Sequence, residues 1–170
     1  MHRRGRRRYV RAGRLTAGIE GKIPNMPLIR SHDGRTILKV SKPRVVSKAR
    51  VVRLDARPSS ARDARQFLRA NAKHLHLPAE QVALGQLAVS ELVTNALVHG
   101  MGPISVRAFC GRNGVRVEVG DSSPRTPRMW TPSSEYSGAH GLPIVAAIAQ
   151  EWGWDDDETG KRVWFTLLAA

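Results

Sequence analysis

The 170-residue sequence predicts an α+β fold, a two-layer sandwich in which a mixed, mostly antiparallel sheet carries three helices on one face. Three observations predict it. Two stretches alternate apolar and polar residues about a glycine-flanked turn, three others space their apolar residues as helices do, and the strands come in adjacent runs rather than one per helix.

Taken in order, Val45, Val46, Val51, Val52 and Leu54 suggest a first strand within about residues 45–57, ended by Asp55 to Pro58. Ser59 or Ser60 then offers a helix N-cap, and Ala61, Ala64, Phe67, Leu68 and Leu75 keep helical spacing up to the Leu77-Pro78 break. A second helix starts after Pro78 and runs to Gly100, a natural terminator. Ile104 to Cys110 and Val115 to Asp121 alternate about Gly111-Arg112-Asn113-Gly114, which predicts a β-hairpin. Residues 122–138, with Pro124, Pro127 and Pro132, read as a long loop of the kind that serves as a lid. A third apolar helix is expected from Leu142 to Trp152, with Pro143 in its first turn. A strand near Trp152 to Trp154, an acidic turn from Asp155 to Gly160 and a strand from Arg162 to Leu168 close the chain. The order is β-α-α-β-β-loop-α-β-β.

Charge divides the chain in two. Residues 1–50 hold 15 Lys/Arg against two acids, Glu20 and Asp33, whereas residues 51–170 hold 13 against 12. Of the net charge of +14, residues 1–50 therefore carry +13, so the basicity belongs to the N-terminal arm and not to the domain. With Arg3, Arg4, Arg6, Arg7 and Arg8 at its start and few large apolar residues, the arm has too little to bury to offset its ordering entropy. Residues 1–45 are expected to form a disordered basic arm and residues 46–170 one domain. The arm is open to Coulomb contact with nucleic acid, anionic lipid or an acidic partner, but an inert tail, including a start at Met26, is the favoured reading. No apolar run approaches the roughly 20 residues that span a bilayer, and no apolar segment follows the arginines. A soluble, cytoplasmic protein without membrane contact is expected. Cys110 has no second cysteine to pair with and reads as a small buried hydrophobe.

The chemistry concentrates on the second helix, in Ser90-Glu91-Leu92-Val93-Thr94-Asn95-Ala96-Leu97-Val98-His99-Gly100. At about 100° per residue Glu91 and Asn95 are i,i+4 neighbours, on a face that also carries Leu84, Leu87, Ala88 and Val98. A carboxylate and an amide within an apolar stripe need a polar partner, because burying the charge unpaired costs several kcal/mol. Mg²⁺ with its waters and a substrate's phosphates would satisfy both, Asn95 giving a carbonyl oxygen and Glu91 staying free to take a proton. A solvated Glu-Asn pair at a helix surface fits the same spacing. Asp121, at a strand end before the long loop, is either an acceptor facing a cleft or a turn cap. Ser137-Gly138-Ala139-His140-Gly141-Leu142-Pro143 places glycines directly before a helix, where free N–H groups could face an anion. There is no GxxxxGK phosphate loop. Asp155 to Glu158 read as a solvated hairpin turn rather than a metal cluster. Trp152, Trp154 and Trp164 read as packing residues, and His99 as a partner of the helix dipole.

Together, Glu91-Leu92-Val93-Thr94-Asn95-Ala96, Asp121 after a hairpin strand and Gly138-Ala139-His140-Gly141-Leu142 resemble, in order and spacing, the N, G1 and G2 boxes of the histidine-kinase-like ATPases. Within that superfamily the chain is similar to the anti-sigma-factor serine/threonine kinases and their stand-alone actinobacterial relatives, over about residues 46–170. The resemblance implies an ATP- and Mg²⁺-binding regulator in partner switching. Glu91 would be the general base and Asn95 the Mg²⁺ ligand. Asp121 would accept from the adenine amino group. Gly138, His140, Gly141 and Leu142 would line the phosphates, and residues 122–138 would form the lid. It also implies protein partners, namely a sigma factor and an anti-sigma-factor antagonist, with a homodimer among the assemblies open to it. The chain departs from the family pattern in Ser122-Ser123-Pro124, where glycines usually follow the Asp, and in Ala139, where a glycine is common. The alternative is a non-catalytic, nucleotide-dependent protein-binding module.

Overall fold

Val117 and Val119 alternate with Arg116 and Glu118 along one strand, and this period of two divides the sheet into an apolar face under the helices and a charged outer face. The computed structural model describes residues 7–12, 28–30, 36–38, 47–111, 114–125 and 141–169; for 7–12, 28–30, 36–38 and Asp157 it describes the backbone. The elements are β1 (Arg7–Ala12), β2 (Leu28–Arg30), β3 (Thr36–Leu38), β4 (Arg50–Leu54), α1 (Ser60–Asn71), α2 (Ala79–His99), β5 (Ile104–Gly111), β6 (Gly114–Asp121), α3 (Gly141–Ile148), β7 (Glu151–Asp157) and β8 (Gly160–Leu167).

Five strands in the order β4-β5-β6-β8-β7 form the body of the domain, and β1, β3 and β2 continue the sheet beyond β7. Every pairing among the described residues is antiparallel. The α+β sandwich expected from the sequence is the observed fold.

Cross-strand rows build the core. Val52, Val106, Val119, Val163 and Trp154 stand in one row across β4, β5, β6, β8 and β7; Ala108, Val117, Phe165 and Trp152 stand in the next. Onto these rows α2 lays Gly85, Ala88, Val89, Leu92, Val93 and Ala96, spaced three and four apart and buried. Ala64 and Leu68 of α1 and Leu142 and Val145 of α3 complete the cluster. By length and composition α2 is apolar enough to cross a membrane, which the sequence reading did not anticipate. Part of that apolarity, from Ala88, Val89, Leu92, Val93 and Ala96, goes into the protein core.

Four expectations change. The third helix ends at Ile148, and Trp152 belongs to β7, opposite Phe165. Gln150 N–H already donates to Thr166 O at 3.1 Å, so the chain has turned into the sheet before the tryptophan. Asp155 is not in a solvated turn. It is a buried strand residue whose Oδ2 accepts from Arg116 Nη2 at 3.2 Å, because the strands extend to Asp157 and leave a turn of only Glu158 and Thr159. Leu87 and Val98 do not share a buried stripe with Glu91: they are 46% and 66% exposed, since the face of α2 on the sheet is set by Ala88, Leu92 and Ala96. The sequence reading placed no strand in residues 1–45, where the structure places β1, β2 and β3. An edge such as that of β7 offers a row of unpaired N–H and C=O groups, and an arm strand satisfies them. The side chains of those three strands lie outside the described residues.

The outer face is charged but largely closed to solvent. Arg116 Nε donates to Glu118 Oε1 at 2.8 Å, Arg107 Nη1 lies 3.4 Å from Glu118 Oε2, and the Arg116 guanidinium carbon lies 3.7 Å from the centroid of the Trp164 ring. Phe165 is wholly buried at the centre of the opposite, apolar face. Replacing it with alanine is expected to destabilise the fold by about 3–5 kcal/mol, read as a lower urea midpoint with an unchanged m-value.

Candidate functional site

Glu91 and Asn95 sit one turn apart on the flank of α2, half-buried rather than in the core, because the i,i+4 step keeps them beside the stripe that packs on the sheet. What meets them is the start of α3. Gly141, its first residue, is buried, and a Cβ built there would stand 2.7 Å from Asn95 Nδ2, 3.2 Å from Asn95 Oδ1 and 3.2 Å from Glu91 Oε2. Only glycine allows the two helices this approach. The first turn of α3 leaves N–H groups without intrahelical partners and carries the positive end of the helix dipole. The polar pair of α2 thus faces an anion-attracting helix end across a contact of van der Waals range.

Leu142, the next residue, turns away. Its side chain is 6% exposed and belongs to the core, so its contribution to a ligand would be its backbone N–H. Gly138 and His140 lie outside the described residues, as does the expected lid beyond residue 125.

Asp121 ends β6 and is buried at 9% exposure. Its Oδ1 accepts two bonds, from Ser123 N–H at 2.8 Å and from Lys161 Nζ at 2.8 Å. The backbone of Gly100, just past α2, lies against the same carboxylate: a Cβ there would be 2.9 Å from Asp121 Cγ and would strike Ala96 O. Ser122 N–H donates to Met101 O at 2.8 Å, tying the residue after Asp121 to the residue after Gly100. The two ends of the site are therefore joined through the C-terminal turn of α2. The turn-cap reading of Asp121 is realised at Oδ1, and among the described residues Oδ2 accepts nothing.

Sequence reasoning missed Lys161, and it read Gly100 only as a helix terminator. Lys161 is the direct cross-strand partner of Asp121, and its side chain is 9% exposed in the ion pair. The signal was present as a lysine one residue past the glycine of a hairpin turn, but it acquires meaning only once β8 is known to pair with β6.

A helix-borne carboxylate and carboxamide meet a glycine-led helix end, an arrangement able to receive an anionic ligand, and a buried strand-end aspartate lies at the far side of the same helix. The chain belongs to the histidine kinase-like ATPase domain family, whose sequence pattern it matches over residues 54–167. Membership of an ATPase family implies ATP as that ligand. The chain is similar to the solved structure of the RsbU and RsbW domains of Rv1364c from Mycobacterium tuberculosis, with 25% identity and a TM-score of 0.53. The likeness covers 71% of this chain and 32% of that one, so this chain spans about a third of its length. No curated protein sequence matches the chain significantly.

The donor set fits the implied group: a carboxylate, an amide oxygen, a helix N-terminus and a cradle that a Cβ would fill. Gly141→Ala is expected to push the Asn95 amide out of place, lowering stability by about 1–3 kcal/mol while leaving the fold intact. Urea unfolding together with ATP titration checks it, and the expected result is a folded protein with weakened nucleotide binding.

Proposed function

We propose that this protein is an ATP- and Mg²⁺-dependent serine/threonine protein kinase that also acts as an anti-sigma factor in cytoplasmic partner switching. The observation that carries the reading is the seating of Gly141 against Glu91 and Asn95. It brings a carboxylate, a carboxamide and the N-terminal turn of a helix into one contact, the groups the reading needs as base, metal ligand and phosphate-binding donors. The similarity to a structure holding RsbU and RsbW domains supports a place among regulators that work through protein partners. A sigma factor and an anti-sigma-factor antagonist are the partners proposed, and a homodimer is the assembly.

ATP supplies the transferable phosphoryl group, and Mg²⁺ would neutralise charge building on it. Asn95 would hold the cation through its amide oxygen, adding no charge of its own. Glu91, one turn away, would take the proton of the attacking hydroxyl. The N-terminal turn of α3 would hold the phosphates by its backbone N–H groups, with Gly138 and His140 proposed beside them, and Asp121 would receive the adenine amino group. The residues from 122 to 138 are proposed to close over the nucleotide.

A second reading has its own observation. Glu91 Oε2 lies at the N-terminal residue of α3, where a carboxylate also serves as partner to the helix dipole. With Glu91 in that structural role, the protein would be a nucleotide-dependent binding module whose affinity for a partner ATP changes without phosphate transfer.

Calorimetric titration of the full chain with ATP, with and without Mg²⁺, tests the first level, and absence of binding in both would sink either reading. Asn95→Ala is expected to abolish the Mg²⁺ dependence. Glu91→Ala is expected to keep ATP binding within about threefold while phosphorylation of an antagonist-type partner falls by about 10²–10⁴-fold. Unaltered partner binding and no phosphorylation in the unmodified chain would favour the module.

A further inference from the structure

We propose that Lys161 is a positioning residue for base recognition: by occupying Oδ1 of Asp121 it reserves Oδ2 for a purine base bearing an amino group at its six position. The inference rests on the reading that this domain binds ATP, and deepens it by naming what makes the site choose its base.

Asp121 is fixed from three sides. Lys161 Nζ and Ser123 N–H both donate to the same oxygen, each at 2.8 Å, and the Gly100 backbone closes against the carboxyl carbon. A carboxylate with two equivalent oxygens and only one of them anchored can rotate about its Cβ–Cγ bond. With two donors converging on Oδ1 from the turn and from the neighbouring strand, rotation breaks a charge-assisted bond as well as a backbone one. Lys161 comes from directly across the β6–β8 ladder, so its stem runs over the sheet rather than swinging from a loop. Its side chain is 9% exposed and that of Asp121 is 4% exposed, which leaves little water to compete for either group.

The consequence is a single, oriented acceptor. Adenine presents an amino donor at the six position, whereas guanine presents a carbonyl oxygen there, an acceptor that a carboxylate oxygen repels. Sites that hydrogen-bond one such group reject the analogue lacking it, because the buried polar atom is left unpaired. Without Lys161 the carboxylate would keep only the Ser123 bond and could present either oxygen, or turn toward another donor.

The experiment is calorimetric titration of the full chain with Mg·ATP and Mg·GTP, for the unaltered protein and for Lys161→Met, Lys161→Gln, Lys161→Arg and Asp121→Asn, with thermal unfolding followed in parallel. Lys161→Met and Lys161→Gln are expected to lose ATP affinity by about 10-fold or more while GTP affinity changes by less than about threefold, so that the preference collapses as it does in Asp121→Asn. Lys161→Arg, which keeps a cationic donor, is expected to restore most of the preference. An equal loss for both nucleotides would mean that Lys161 acts through net charge or folding, and would overturn the proposal. So would an unchanged ratio in the Met and Gln variants alongside a collapsed one in Asp121→Asn. If the unaltered chain binds neither nucleotide, the parent reading has failed, a result distinct from both.

Discussion

The approach of α3 to α2 at Gly141 governs the geometry of the candidate site. Helix packing ordinarily separates axes by 8–10 Å according to the side chains between them. Here the first residue of α3 has no side chain, so Glu91 and Asn95 can reach its backbone. The approach is held by apolar packing deeper in: Leu142 and Val145 enter the same cluster as Leu92 and Val93, and Ala149 N–H continues the helical bonding to Val145 O at 2.9 Å. Two polar groups thus share a wall with a hydrophobic core without being buried in it, which removes the desolvation cost that would attend a carboxylate within the stripe.

The sheet contributes from the other end. Its register sets Asp121 opposite Lys161, which in turn stands opposite Asp156, so one row carries alternating charges at the end of the apolar face. The next row inward, Val119 and Val163, is wholly hydrophobic. A strand with period two therefore delivers an acceptor to the rim while its neighbours two residues back secure the core. Binding between Ser122 and Met101 makes the end of α2 and the end of β6 one unit. Displacement of either helix terminus would move both the Asp121 and the Asn95 ends of the site.

The outer face answers the question of what a two-layer sandwich does with its uncovered side. Arg107, Glu118, Arg116 and Asp155 form a connected ladder of ion pairs over the ring of Trp164. Beyond it, the backbone register of β1 sets Arg7 opposite Asp156 and Arg8 opposite Asp155. A strand of arginine-rich sequence thus pairs with one of acidic sequence.

Much of this was legible in the sequence, because local physics wrote it there. Alternation at Ile104 to Cys110 and Val115 to Asp121, the helical stretch from Pro78 to Gly100, and the i,i+4 step from Glu91 to Asn95 depend on residues near one another in the chain, and each was recovered. Other features were decided by partners distant in sequence. Trp152 became a strand residue because Phe165 pairs with it, Asp155 was buried because Arg116 reaches it, and the flank of α2 bearing Leu87 and Val98 stayed exposed because the sheet took the other face. Lys161 is forty residues from Asp121, and no local pattern links them. Periodicity could fix most elements of residues 46–170, because it is local; strand register and helix approach, set by packing across the whole domain, decided which helix face is buried and which side chains meet.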